Sequence, residues 1–143
     1  MRFMILVKAN QESETGQRPR QEMLTAMGKF NEELVTAGVL LAGEGLHPSA
    51  KGKRIHFAGA QRTIADGPFA EPPQLIAGFW LWQCGSMDEA VEWAKRAPFH
   101  EGEVEIRQVF ETDDFGAVLT PEFRAQAERR SDRVEQAAKT KQH

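Results

Sequence analysis

A chain of 143 residues with 41% hydrophobic and 27% charged residues is the size of one globular domain, which excludes wholesale disorder. Eighteen basic and 21 acidic residues leave a net charge of −3, opposite in sign to the basic stripe that non-specific nucleic-acid binding needs. No apolar run approaches the ~18 residues of a membrane span, no signal peptide is visible after Arg2, and the lone Cys84 can form neither an internal disulfide nor a thiolate cluster. A cytoplasmic protein without membrane or direct nucleic-acid contact is expected.

Arg2–Lys8 reads as a strand apolar on both faces, with Phe3, Ile5 and Val7 on one and Met4 and Leu6 on the other. Asn10–Gln17 is polar and loop-like. Met23, Met27, Phe30 and Leu34 recur at helical steps and predict a helix from about Pro19 to Ala37, closed by Gly38 as a left-handed cap. Val39–Ala42 is a short strand expected to stop at Gly43-Glu44-Gly45. Arg54–Ala58 and Arg62–Ala65 form the two arms of a hairpin turning near Gly59. Ile76–Gln83 is again apolar on both faces, Phe79 and Leu81 against Trp80 and Trp82. Ser86-Met87-Asp88-Glu89 is a capping box opening a helix to about Ala97, which Pro98 ends. Val104–Phe110 alternates and has one clearly buried face. Beyond Val118 and Leu119 the only large apolar residues are Phe123 and Val134, and Thr120-Pro121 opens a charged helix running to Lys141. Thr120–His143 carries +2 against −5 for Met1–Leu119. The chain therefore divides into a domain over residues 1–119 and a helical appendage over 120–143, expected to lie on a neighbouring subunit or to fray.

Strands apolar on both faces must be covered on both. The first strand and the one before the second helix meet that description, and they are the central pair of a β-α-β-β-α-β sheet. The fold class is read as α+β, ferredoxin-like, with an extra hairpin. Helices cover one side of such a sheet, and Trp80 and Trp82 are expected to point to the other. No hydrophobic segment remains to cover that side, so a second copy of the sheet is the expected cover, giving a homodimer.

The uncommon sequence lies in the middle of the chain. Asp66-Gly67-Pro68-Phe69-Ala70-Glu71 reads either as a turn or as a segment aiming Asp66 into a pocket walled by Phe69. In Gly43-Glu44-Gly45-Leu46-His47-Pro48 the glycines let the backbone bend and approach another group. Glu44 and His47 then form a carboxylate–imidazole pair able to move a proton near neutral pH, or Glu44 is simply solvated on a turn. His56 reads as an ordinary strand residue, and His100 adjoins an acidic run without ligand spacing, so no metal site is expected. His143 is expected to be disordered, and Cys84 to be a small core residue rather than a nucleophile. No dinucleotide, phosphate-loop, zinc-protease or nucleophile-elbow motif is present, and no cofactor is expected. The basic helix of Arg124, Arg129, Arg130 and Arg133 has interleaved acids and reads as a solvated face.

Taken together, Arg2–Val7, the run from Gly43 to Ala50, Asp66-Gly67-Pro68-Phe69-Ala70-Glu71 and Val104-Glu105-Ile106-Arg107 resemble the YciI-like (YCII-related) family over about residues 2–116, and more narrowly its DGPF subgroup. The resemblance implies a ferredoxin-like fold that dimerises into an α/β-barrel-like unit. One branch of that family is similar to dehydrochlorinases of chlorinated hydroxyquinols, with a His–Asp dyad in R-P-x-H and D-P-[FY] patterns. Here the counterparts are Arg18-Pro19-Arg20-Gln21 and Ala97-Pro98-Phe99, so Gln21 and Ala97 replace the dyad and its chemistry does not carry over. The resulting expectation is an enzyme acting on a small aromatic or carbonyl metabolite, with Glu44 or Asp66 as base, His47 as proton carrier, and Phe69, Trp80 and Trp82 as apolar walls. The alternative is a non-catalytic ligand-binding or regulatory module, since the resemblance also implies association with sigma-factor-dependent transcription; a sigma factor or related regulator would then meet the 120–143 helix.

Overall fold

A computed structural model describes residues 1–141, the side chain of Pro73 excepted; His143 lies outside them. In chain order the elements are β1 (Arg2–Lys8), α1 (Gln11–Glu14), α2 (Gln21–Thr36), β2 (Leu40–Gly45), β3 (Lys53–Ala58), β4 (Gln61–Asp66), β5 (Ile76–Gln83), α3 (Met87–Lys95), β6 (Val104–Gln108) and α4 (Pro121–Lys141). Residues Met1–Val109 form one compact unit, and a second begins at Phe110.

The two doubly apolar strands are the central ones. The main sheet has the order β2-β5-β1-β6 with every neighbour antiparallel, and α2 and α3 are its crossovers. That is the β-α-β-β-α-β ferredoxin-like topology, and the β3–β4 hairpin is a separate two-stranded sheet inserted between β2 and β5.

The core lies between this sheet and its helices. Phe3 stands opposite Trp82 and Ile5 opposite Trp80, and these four pack with Phe30 and Leu34 of α2 and Ala90 of α3. Phe30 meets both indoles edge-on, with ring centroids 5.7 Å from Trp80 and 6.2 Å from Trp82, contacts worth about 0.5–1.5 kcal/mol beyond the area they bury. The expectation that Trp80 and Trp82 occupy the helix-free face is thus reversed. The physical reason is volume: α2 fully buries only Phe30 and Leu34, and α3 only Ala90, so large rings from the sheet must fill the layer. Strand alternation then puts Met4, Leu6, Phe79 and Leu81, all half-buried, on the helix-free face.

Three local details differ from the sequence expectation. The Asn10–Gln17 stretch contains α1, where the Asn10 carboxamide accepts from Ser13 N–H at 2.8 Å and the Ser13 hydroxyl accepts from Asn10 N–H at 2.9 Å. α2 begins at Gln21 rather than Pro19, because Arg20 is still extended. At α3 the Ser86 hydroxyl accepts from Glu89 N–H at 3.1 Å, but the Glu89 carboxylate reaches Gly85 N–H at 2.7 Å instead of the cap residue's own.

The second unit has its own small aromatic cluster. Phe110 stacks on Phe115, with centroids 5.4 Å apart, and Phe115 meets Phe123 edge-on. The Thr120 hydroxyl caps α4 by accepting from Phe123 N–H at 3.1 Å, and Arg124 pairs with Asp113 at 2.6 Å.

Candidate functional site

β2 does not stop at its glycines; it runs through them to Gly45, and Leu46 N–H still donates to Ala77 O at 2.8 Å. A Cβ added to Gly43 would fall 2.6 Å from Trp80 Cδ1, so glycine is what lets the strand pass over the indole. Close approach, not a bend, is the use of this residue. The consequence is the placement of Glu44. It stands opposite Phe79 in the ladder and therefore on the helix-free face, exposed, at the edge of the Met4, Leu6, Phe79 and Leu81 patch. The far edge of that face carries Lys8, Glu105 and Arg107, with Glu105 bridging the two cations at 3.4 and 3.2 Å. The Arg107 hydrogen bond, followed by that of Lys8, holds the Glu105 carboxyl below the usual carboxylate range. That face therefore has an apolar centre between charged edges.

Beyond Gly45 the chain enters a tight knot of loops. The Ser49 hydroxyl accepts from Phe69 N–H at 3.0 Å and donates to the Glu14 carboxylate, while Ser49 N–H donates to Glu14 Oε1 at 3.1 Å. Gly67 N–H donates to Gly52 O at 3.0 Å, and a Cβ added to Gly67 would lie 1.7 Å from Ser49 O. The following Gly67–Pro68 peptide is cis. The Arg54 guanidinium covers the Phe69 ring at 4.0 Å. The knot sets the segment of His47 beside the segment of Asp66 to Phe69.

Asp66 itself is 74% exposed and ion-paired with Lys53 across the base of the hairpin. Glu44 and His47 are both exposed, and among the described residues no hydrogen bond or ion pair joins them. Phe69 is half-buried within the knot. Trp80 and Trp82 cannot be ligand walls: they are 5% and 0% exposed inside the core. Trp80 Nε1–H donates to Asn31 Oδ1 at 2.9 Å, whereas Trp82 Nε1–H has no partner among the described residues. Cys84 is buried, and burial, with the Glu89 charge, pushes its thiol up, against the N-terminal ammonium, which lowers it; a raised thiol is a poor nucleophile. His56 and His100 are exposed, and the described residues contain no group of three ligands for a metal ion. Gln21 opens α2 on the surface, and Ala97 packs against the core. Surface hollows of about 660 and 580 Å3 lie at Arg20, Gln21 and Lys29 and along Arg130 and Val134, and neither is lined by Glu44, His47 or Asp66.

Glu14, Ser49 and Arg54 are the members of this region that spacing alone did not single out. Glu14 and Ser49 are 35 residues apart and Ser49 and Phe69 are 20 apart, so no local pattern joins them. Replacing Ser49 by alanine leaves the Phe69 N–H and the Glu14 carboxylate without their shared partner. A loss of about 1–3 kcal/mol is expected, read as hydrogen exchange at the Phe69 amide that is faster by roughly fivefold or more. Unchanged exchange would show that the knot is held by the Gly67 contact instead.

The YCII-related domain family matches residues 1–113. An uncharacterized protein of Rhizobium meliloti (strain 1021) is 29% identical over 89 residues, covering 60% of this chain and 72% of its own. Among solved structures, the 5-chloro-2-hydroxyhydroquinone dehydrochlorinase of Burkholderia phenoliruptrix AC1100, in complex with 2,5-dihydroxybenzoquinone, is 19% identical with a TM-score of 0.38, over 78% of this chain and 96% of that one. With 113 of 143 residues matched, the chain belongs to the YCII-related family.

Proposed function

We propose that this protein, as a DGPF-type member of its family, works as a homodimer in which two helix-free sheet faces meet and enclose a site for a small aromatic or carbonyl metabolite. The observation that carries this reading is the position of Glu44: a carboxylate on the same face as Phe79, at the rim of an apolar patch. Covering that face sets Glu44 against the apolar patch, where its carboxylate takes a proton from the bound metabolite. Of the two acidic candidates Glu44 is the base in this reading, because Asp66 is engaged by Lys53. His47, three residues on and set in place by the Ser49 knot, carries the proton, and Phe69 with Phe79 supplies apolar wall. The dyad positions, occupied by Gln21 and Ala97, take no part.

Native mass spectrometry of protein purified from its own host, followed by denaturing release, tests this. The expected result is a dimer that carries a small molecule, with the molecule lost from Glu44→Gln and His47→Ala while the circular dichroism stays unchanged. A dimer whose bound molecule survives both substitutions would remove these residues from the site. A clean monomer would overturn the covered face and the site with it.

A further inference from the structure

Beyond Arg54, which covers Phe69, and the Lys53–Asp66 pair at its base, the β3–β4 hairpin has no place in the site as described, and its composition is unlike the rest of the chain. All of its strand residues are exposed. Its register pairs Ile55 with Ile64, Phe57 with Arg62 and Lys53 with Asp66 on one face. Ile55, Phe57 and Ile64 are 54%, 66% and 64% exposed. An uncovered two-stranded ribbon is marginal in water, and three large apolar side chains on one face of it call for a partner. Charge is segregated as sharply. The hairpin Lys53–Asp66 holds Lys53, Arg54 and Arg62 against Asp66 and carries +2, while the remainder of Met1–Leu119 carries −7.

We infer that the β3–β4 hairpin is an arm by which one copy of this chain grips the acidic body of a second copy. The inference rests on the homodimer proposed above and adds a second contact to it. Two features choose this occupant. On this face Ile55, Phe57 and Ile64 hold the centre, with Arg62 at one margin and the Lys53–Asp66 pair at the other, the layout of a protein–protein contact and not the basic stripe of a polyanion groove. Ribbon against ribbon would set like charges together, so the arm meets the oppositely charged body of its partner rather than the partner's arm. The hairpin also springs from the loop knot: Gly52 O, one residue before β3, holds Gly67 N–H, one residue after β4. A gripped arm therefore steadies the segments that carry His47 and Asp66, which ties assembly to the site.

Sedimentation equilibrium of the full chain tests this at low and at about 0.5 M salt, where the Debye length falls to a few Å. The variants are Arg62→Glu and Ile64→Asp in the arm and Leu81→Asp on the helix-free face, each checked by circular dichroism. The arm predicts a wild-type dimer whose Kd rises about tenfold or more with salt and in both arm variants. Arg62→Glu keeps Ile55, Phe57 and Ile64 but gives up the Arg62 guanidinium's contacts with the Phe57 ring and the Gly59 carbonyl, so the salt dependence of the wild-type dimer decides the matter if either variant disorders the hairpin. A dimer indifferent to the arm variants but split by Leu81→Asp would keep the sheet-face reading and overturn the arm. A wild-type monomer at every concentration would overturn both. Binding of a fluorescent oligonucleotide that Arg62→Glu abolishes, with no effect on assembly, would reassign the ribbon to a polyanion and overturn the arm.

Discussion

Replacing Gly67 by alanine is expected to destabilise the protein by about 3 kcal/mol and to strip it of any bound metabolite. The added Cβ would stand 1.7 Å from the Ser49 carbonyl oxygen, a backbone atom with no side-chain rotamer to yield. The Gly67 and Ser49 turns must then part, which breaks the Phe69 N–H to Ser49 bond and the Gly67 N–H to Gly52 bond together. Gly59→Ala is the control: that residue has φ +60° but open space around it, so only the backbone cost of about 1–2 kcal/mol applies. Urea midpoints of the two variants give the comparison. Equal losses would mean that the close approach of Gly67 to Ser49 is not what holds the D-G-P-F segment in place.

Trp82→Ala is expected to cost about 3–5 kcal/mol, a large share of the 5–15 kcal/mol that holds a domain of this kind together. Its side chain is wholly buried against Phe3 and Phe30 at the centre of the layer between the sheet and α2 and α3. Trp82→Phe should lose less than the alanine variant. It keeps a ring in the site and removes an indole N–H that has no partner among the described residues, a group whose burial costs about 1–3 kcal/mol. Far-ultraviolet circular dichroism against urea reads both. A phenylalanine variant as unstable as the alanine one would show that the indole's shape, not its polar atom, dominates the energetics.

These two expectations differ in how far the sequence already held them. The apolar faces of Arg2–Lys8 and Ile76–Gln83, the helical steps of Met23, Met27, Phe30 and Leu34, and the Ser86 cap were all legible because each is a relation between neighbours two to four positions apart. They were enough to order the sheet, since only a central strand is apolar on both sides. Glu44 and His47 were legible as chemistry for the same reason, two proton-bearing groups in a glycine-bracketed stretch. Their surroundings were not. Gly43 was legible as a place where the backbone bends or approaches another group, but not that the group is Trp80, a residue from a different strand.

What the sequence determined by itself is therefore the kind and order of the elements other than α1, the centrality of β1 and β5, and the hairpin. Only the tertiary structure decided which face of β5 meets the helices. A strand apolar on both sides carries no signal for its own direction, and the choice falls to whichever residues fill the layer left by Phe30, Leu34 and Ala90. It decided likewise that Ser49 would gather Glu14 and Phe69 from segments 35 and 20 residues away. Hydrogen bonds between distant segments leave no periodic trace in a chain, because their partners are brought together by packing and not by spacing.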